Sequence, residues 1–108
     1  MKFIETYNES RVNIQSIARI FYEMEEKTYA LRIELNNGKI LQVCEEFCEY
    51  YHIKGKSKHL FIDSDMDEFV GFLIDVINEL EKSDDNFISY DELYQTLWNL
   101  SMENKGNI

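Results

Sequence analysis

Residues 2–7 are apolar on alternate positions and predict a short strand. Residues 8–11 are a polar turn, and residues 17–24 form a long β-branched and aromatic run that predicts a second strand. After a turn over residues 25–27 comes the clearest alternation in the chain. Tyr29, Leu31, Ile33 and Leu35 share one face of a strand over Thr28–Leu35, and Thr28, Ala30, Arg32 and Glu34 share the other. Asn36-Asn37-Gly38 follows, and residues 39–44 read as the return strand. An Asn-Gly pair between strand patterns predicts a two-residue type I′ turn, whose central residues both need positive φ. In that register Leu35 faces Ile40 on the apolar side of the hairpin. Residues 45–59 predict a short helix followed by a basic loop carrying Lys54, Lys56 and Lys58, and residues 59–62 a last short strand.

The period then changes from two to 3.6. Phe69, Phe72, Leu73, Val76, Ile77 and Leu80 recur at helical spacing and predict a helix over residues 64–81. Asp63, Ser64 and Asp65 supply N-caps, and Asp67 and Glu68 suit the positive end of the helix dipole. Residues 83–86 break the pattern. Ser89-Tyr90-Asp91-Glu92 then forms a capping box, with Ile88 and Leu93 placed as its hydrophobic staple. Leu93, Leu97 and Leu100 line the helix that follows, over residues 89–103, flanked by Tyr90, Tyr94 and Trp98. Residues 104–108 read as a flexible tail. Strands first and helices last predict an α+β fold: an antiparallel sheet of about four strands covered by a C-terminal helix pair. At 108 residues, 1–103 are expected to form a single domain, 1–62 being mainly strands.

Composition changes the picture through charge. The chain is 44% hydrophobic and 14% aromatic, enough for a core, but carries a net charge of -10. Residues 1–59 hold nine acids and nine bases, and residues 60–108 hold twelve acids and two bases, so the whole excess lies in the helical part. Such a surface repels nucleic acid, and direct binding to a phosphate backbone is not expected. No apolar run is long enough to span a membrane, and residues 1–10 lack the pattern of a signal peptide. Two cysteines are too few for a disulfide framework, which suggests a cytoplasmic protein.

Three chemistries compete for the remaining residues. Residues 81–92 approximate an EF-hand loop, with Glu81, Ser83, Asp85, Ile88 and Glu92 at positions 1, 3, 5, 8 and 12. Position 1 is not Asp, position 6 is Asn86 rather than Gly, and no second loop pairs with it; a helix–turn–helix closed by a capping box explains the same residues. Cys44, Cys48, His52 and His59 include three residues that share a face if their segment is helical, but the spacing is not that of a zinc knuckle. No nucleophile elbow, metal-binding His pair or phosphate loop is present. The expectation is a non-enzymatic protein without metal or cofactor.

What remains is the acidic side itself: Asp63, Asp65, Asp67 and Glu68 at one helix start, and Asp84, Asp85, Asp91 and Glu92 around the turn between helices. Solubility alone explains many acidic surfaces, but this one is confined to the helical part. Arrayed carboxylates suit a basic groove on another protein and speed association with it. The hairpin ALRIELNNGKILQV (30–43), the acidic start of the aromatic helix DSDMDEFVGFLIDVI (63–77) and the acidic turn DDNFISYDELYQTL (84–97) together resemble small phage-encoded anti-defence proteins. The likeness is nearest to type II anti-CRISPR inhibitors that fill the PAM-reading groove of an RNA-guided nuclease, and it spans roughly residues 28–100. Nuclease-immunity proteins are similar in size and charge. The resemblance implies an inhibitor, monomeric or homodimeric, whose acids imitate DNA phosphates against the Arg and Lys residues of its target. The long first half and the Lys54–Lys58 loop depart from it.

Overall fold

The alternation at Thr28–Leu35 becomes the central strand of the larger sheet because every second side chain is held in the core. Tyr29, Leu31 and Ile33 are buried there. In the computed structural model, residues 1–25, 28–48, 51–53, 56–58 and 63–104 are described, with the backbone alone at 9, 47–48, 51–53, 56–58, 63–65 and 101–104. The strands are β1 (Phe3–Glu5), β2 (Arg11–Asn13), β3 (Ile17–Glu25), β4 (Thr28–Leu35), β5 (Ile40–Gln42), β6 (Phe47–Cys48), β7 (Tyr51–Ile53) and β8 (Lys56–Lys58). Helix α1 (Asp63–Lys82), strand β9 (Phe87–Ile88) and helix α2 (Tyr90–Asn104) complete an α+β fold.

The larger sheet runs β3-β4-β5, with β6 also pairing antiparallel to β4. Its inner face carries Ile20 and Tyr22 opposite Ile33 and Leu31. Its outer face pairs Arg19 with Glu34 and places Phe21 opposite Arg32. Helix α1 lays Met66, Phe69, Leu73, Val76 and Leu80 into the core at steps of three and four, and α2 adds Leu93 and Leu97.

A second sheet departs from the expected single one. Strand β1 lies between β2, antiparallel, and β9, parallel, so the start of the chain pairs with the turn between the helices. The turn from β1 to β2 is closed by Thr6 N–H on Ser10 O (2.8 Å), with Asn8 at φ 69, a left-handed conformation that Asn tolerates. Tyr7 N–H on Val43 O (2.9 Å) ties this sheet to the larger one. A third, two-stranded ladder pairs β7 with β8.

The expected hairpin forms, but in a different register. Glu34 pairs with Ile40 and Ile33 with Leu41, so Leu35 does not face Ile40. Leu35 O accepts from Gly38 N–H, Leu35 N–H donates to Lys39 O, and Gly38 alone in the loop has positive φ, at 90. This is a three-residue loop ending in a left-handed glycine rather than a type I′ turn. Asn37 Oδ1 also accepts from Lys39 N–H and holds the longer loop. One residue of slip exchanges the faces of the return strand: Leu41 turns inward and Ile40 is 46% exposed.

The short helix expected within residues 45–59 is not formed. Phe47–Cys48 extends β4's ladder, and Tyr51–Ile53 with Lys56–Lys58 makes the small hairpin, in keeping with the aromatic and β-branched residues there. Lys56 and Lys58 therefore lie on a strand, while Lys54, the 59–62 segment and residues 105–108 fall outside the described residues. Asn104 closes α2 rather than opening a tail.

Two stability outcomes follow. Gly38→Val is expected to cost about 1–2 kcal/mol, because a β-branched residue resists the left-handed region, with Gly38→Asn costing less. Paired denaturation curves test this, and equal midpoints for Val and glycine would refute the left-handed assignment. Lys2 Nζ donates to Leu80 O (2.6 Å) and to Ser83 O at the end of α1. Lys2→Ala should therefore lower stability by about 1–2 kcal/mol, against a few tenths for Lys82→Ala, also in that last turn but exposed.

Candidate functional site

Helix α1 spans roughly 30 Å at 1.5 Å per residue, so its two acidic ends cannot form one patch. Asp63 and Asp65 lie in its first turn, their side chains outside the described residues. Asp67 and Glu68 are exposed one turn later. At the opposite end, Asp84 and Asp85 are exposed in the turn after α1, and Asp91 and Glu92 are exposed in the first turn of α2.

The fold does join the second group to other acids. A groove of about 420 Å³ runs between the helices, floored by Val76, Leu80, Ile88 and Leu100 and rimmed by Asp75, Glu79, Asp85 and Glu92. None of the residues lining it is basic. Asp75 and Glu79 sit one helical turn apart, and Glu68 precedes Asp75 by two turns on the same side, so a line of carboxylates leads from the start of α1 into the groove. Asp75 and Glu79 are absent from the acids that the sequence pattern brings forward. Their signal is there nonetheless: both are polar breaks beside the apolar stripe, directly before the turn.

The turn that shapes this groove is held from outside. Phe3 N–H donates to Asn86 O (2.9 Å), and Gln15 Nε2 donates to Glu81 Oε1 (3.1 Å). Ser89 Oγ accepts from Glu92 N–H (3.3 Å), which is the first half of the expected capping box. The Tyr90 N–H is taken by Glu5 Oε1 (2.9 Å), a cap supplied from β1 rather than from within the helix.

The ion pairs among the described residues lie on the outer face of the large sheet: Arg19 with Glu34 at 3.1 Å and Arg32 with Glu23 at 3.5 Å. No described acid between Asp67 and Glu92 is in an ion pair with another described residue. Some of these acids suit their position: Asp67, Glu68, Asp91 and Glu92 sit near helix N-termini, where the dipole favours anions. Glu79 does not. It lies in the last turn of α1, where the dipole favours cations, with Asp84 and Asp85 just beyond.

The EF-hand geometry is not assembled. Glu81 is engaged with Gln15, Ser83 Oγ donates to Leu80 O (3.0 Å) and accepts from Asp85 N–H (3.2 Å), and Ile88 pairs with Ile4 of β1. Among the described residues no three His, Cys, Asp or Glu side chains come close enough to share a metal. The zinc alternative needed Cys44, Cys48 and His52 on one helix face; the chain there is extended, and His59 lies outside the described residues.

On the other flank of α2, the Tyr90 and Tyr94 rings pack tilted at 6.1 Å between centroids beside Glu45, and Tyr90 Oη accepts from Glu45 N–H (3.2 Å). Burial, with the Glu45 carboxylate adding to it, pushes the Cys44 thiol up to about 12. Burial likewise raises Tyr90 to about 12 and raises Tyr94. Cys44 is thus a protonated core thiol, not an activated nucleophile. Its sign in stability is fixed. Above its ordinary value of 9.0 the unfolded thiol ionises while the folded one does not, so stability falls as pH rises from about 9 towards 12. Melting curves at pH 8 to 11 should show that fall partly flattened in Cys44→Ala; an unchanged slope would place the alkaline loss elsewhere.

Among the described residues no helix is long and apolar enough to cross a membrane. No family model matches the chain, and no match was found among curated proteins or among solved structures.

Proposed function

We propose that this protein is a non-enzymatic inhibitor or interaction protein whose acidic helical side occupies a basic, nucleic-acid-binding surface of a partner protein. In this reading the carboxylates stand in for nucleic-acid phosphates. An RNA-guided nuclease, a restriction enzyme or a toxin nuclease has a surface of the required chemistry.

The observation that carries the reading is the placement of Glu79, Asp84 and Asp85. They crowd the negative end of a helix and have no cation paired to them among the described residues. Local stability does not explain them, since a helix C-terminus prefers Lys or Arg. Solubility alone does not require acids at an unfavourable helix end either. Asp85, together with Asp75, Glu79 and Glu92, rims an apolar-floored groove, so the binding surface is expected to centre there. Asp63, Asp65, Asp67 and Glu68 extend it along α1. Steered association between this surface and a basic partner gains most of its speed from long-range attraction.

The test uses a nucleic-acid-binding partner captured from a bacterial lysate at low salt. Asp75→Lys, Glu79→Lys and Glu92→Lys together should abolish capture. Asp63→Lys, Asp65→Lys and Asp67→Lys together should weaken it less. Glu79→Gln with Asp85→Asn should weaken capture while leaving the melting temperature unchanged or higher, which separates binding from folding. Capture of the unmodified protein should fall steeply as salt rises. Salt-insensitive capture that tolerates both charge reversals would sink the phosphate-mimic reading and leave the acids to solubility.

A further inference from the structure

Strand β3 is nine residues long and forms one edge of the larger sheet, whose order is β3-β4-β5. Among the described residues nothing pairs with its outer side. A long unprotected edge is a template for a further strand. We propose that β3 is a self-association edge, on which a second copy of this chain pairs antiparallel about a two-fold axis through Phe21.

The register comes from the sequence of the strand itself. Antiparallel pairing of identical strands about Phe21 aligns Arg19 to Glu23 of each copy, with the bulge after Ile17 outside that stretch. It sets Arg19 of each copy opposite Glu23 of the other, giving two opposite-charge cross-strand pairs. On the same outward face the two Phe21 rings meet between those pairs. On the inward face Ile20 faces Tyr22. A register shifted to Tyr22 also gives two opposite-charge pairs, Arg19 with Glu25, but sets Phe21 against the Glu23 carboxylate. The Phe21 register is the one that joins the charge pairs to contact between the two Phe21 rings.

Both charged groups are accessible. Arg19 has 59% of its side chain exposed while bonded to Glu34, and Glu23 has 46% exposed while 3.5 Å from Arg32. The guanidinium of Arg19 lies 4.0 Å from the centre of the Phe21 ring, so it is already held beside the proposed axis. The bulge at the start of β3 falls between Ile17 and Arg19, outside the Arg19–Glu23 stretch that carries the charge pairs.

Sedimentation of the full chain over micromolar to millimolar concentration tests the proposal. The unmodified protein should pass from monomer to dimer. Arg19→Glu and Glu23→Arg should each weaken self-association about tenfold or more, because each turns two attractive cross-strand pairs into like-charge pairs. An equimolar mixture of the two variants should dimerise again, since the two carboxylates of the first variant's strand then face the two guanidinium groups of the second's. That cross-rescue does not depend on either variant matching the unmodified protein in stability, and Glu25→Arg should leave the dimer intact. Three results would overturn the proposal: a monomer throughout the range, a dimer indifferent to both variants, or restoration of Arg19→Glu by Glu25→Arg instead of Glu23→Arg. Pairing of the edge with an extended segment of another protein would appear as the first of these.

Discussion

Everything at the candidate site depends on three residues at the start of the chain. Strand β1 lies in the middle of a mixed sheet, so both of its edges are bonded. With Lys2 just before it, it reaches both helices. Lys2 caps the last carbonyls of α1, Phe3 N–H holds Asn86 O in the turn, and Glu5 caps the first N–H of α2. A helix pair joined by a short polar turn has several ways to splay. Here the end of one helix and the start of the next are pinned to the same strand, which fixes the groove between them. The Lys2 ammonium, with Lys82 in the same last turn, adds positive charge at the acidic end of α1. The segment that shapes the groove therefore offsets part of the cost of its carboxylates.

Charge is segregated by layer. On the larger sheet, Arg19 and Arg32 are matched by Glu34 and Glu23. On the helices the acids have no such partners among the described residues. Exposed pairs of the first kind contribute little stability. The second arrangement leaves a long-range field on one side only. A monomer that needed only solubility would gain as much from dispersed charge.

The helices and the hairpin are legible in the sequence because their signals are local. Met66 to Leu80 repeats at helical spacing, and Thr28–Leu35 alternates cleanly. The hairpin register is not legible, because Asn36-Asn37-Gly38 suits both a two-residue and a three-residue loop. Only the packing of Leu41 against the core, with Ile40 left outside, decides between them. Residues 45–58 mislead because Cys44, Cys48 and His52 fall at four-residue steps, while the aromatic content around them favours strands. The pairing of β1 with β9 joins residues more than eighty positions apart and leaves no periodic trace in either segment. The groove inherits that difficulty. The acids at 84, 85, 91 and 92 stand out as a run, but Asp75 and Glu79 join them only once the helix axes are set.

The two proposed association surfaces would respond to salt in opposite senses. A basic partner meets the acidic side across a long-range attraction, which counter-ions weaken. Two copies of this chain approach each other with a net charge of -10 apiece, so their long-range interaction is repulsive, and counter-ions relieve it. The Arg19–Glu23 pairs act only at contact, flanked by the apolar pairs at Phe21 and Ile20–Tyr22, and they lose less to screening than the global repulsion does. Low salt thus favours a single copy engaged with an opposite charge, and higher salt favours β3 paired with its own copy. On these proposals, the distribution of twelve acids against two bases after residue 59 would set which association wins, without any change in the fold.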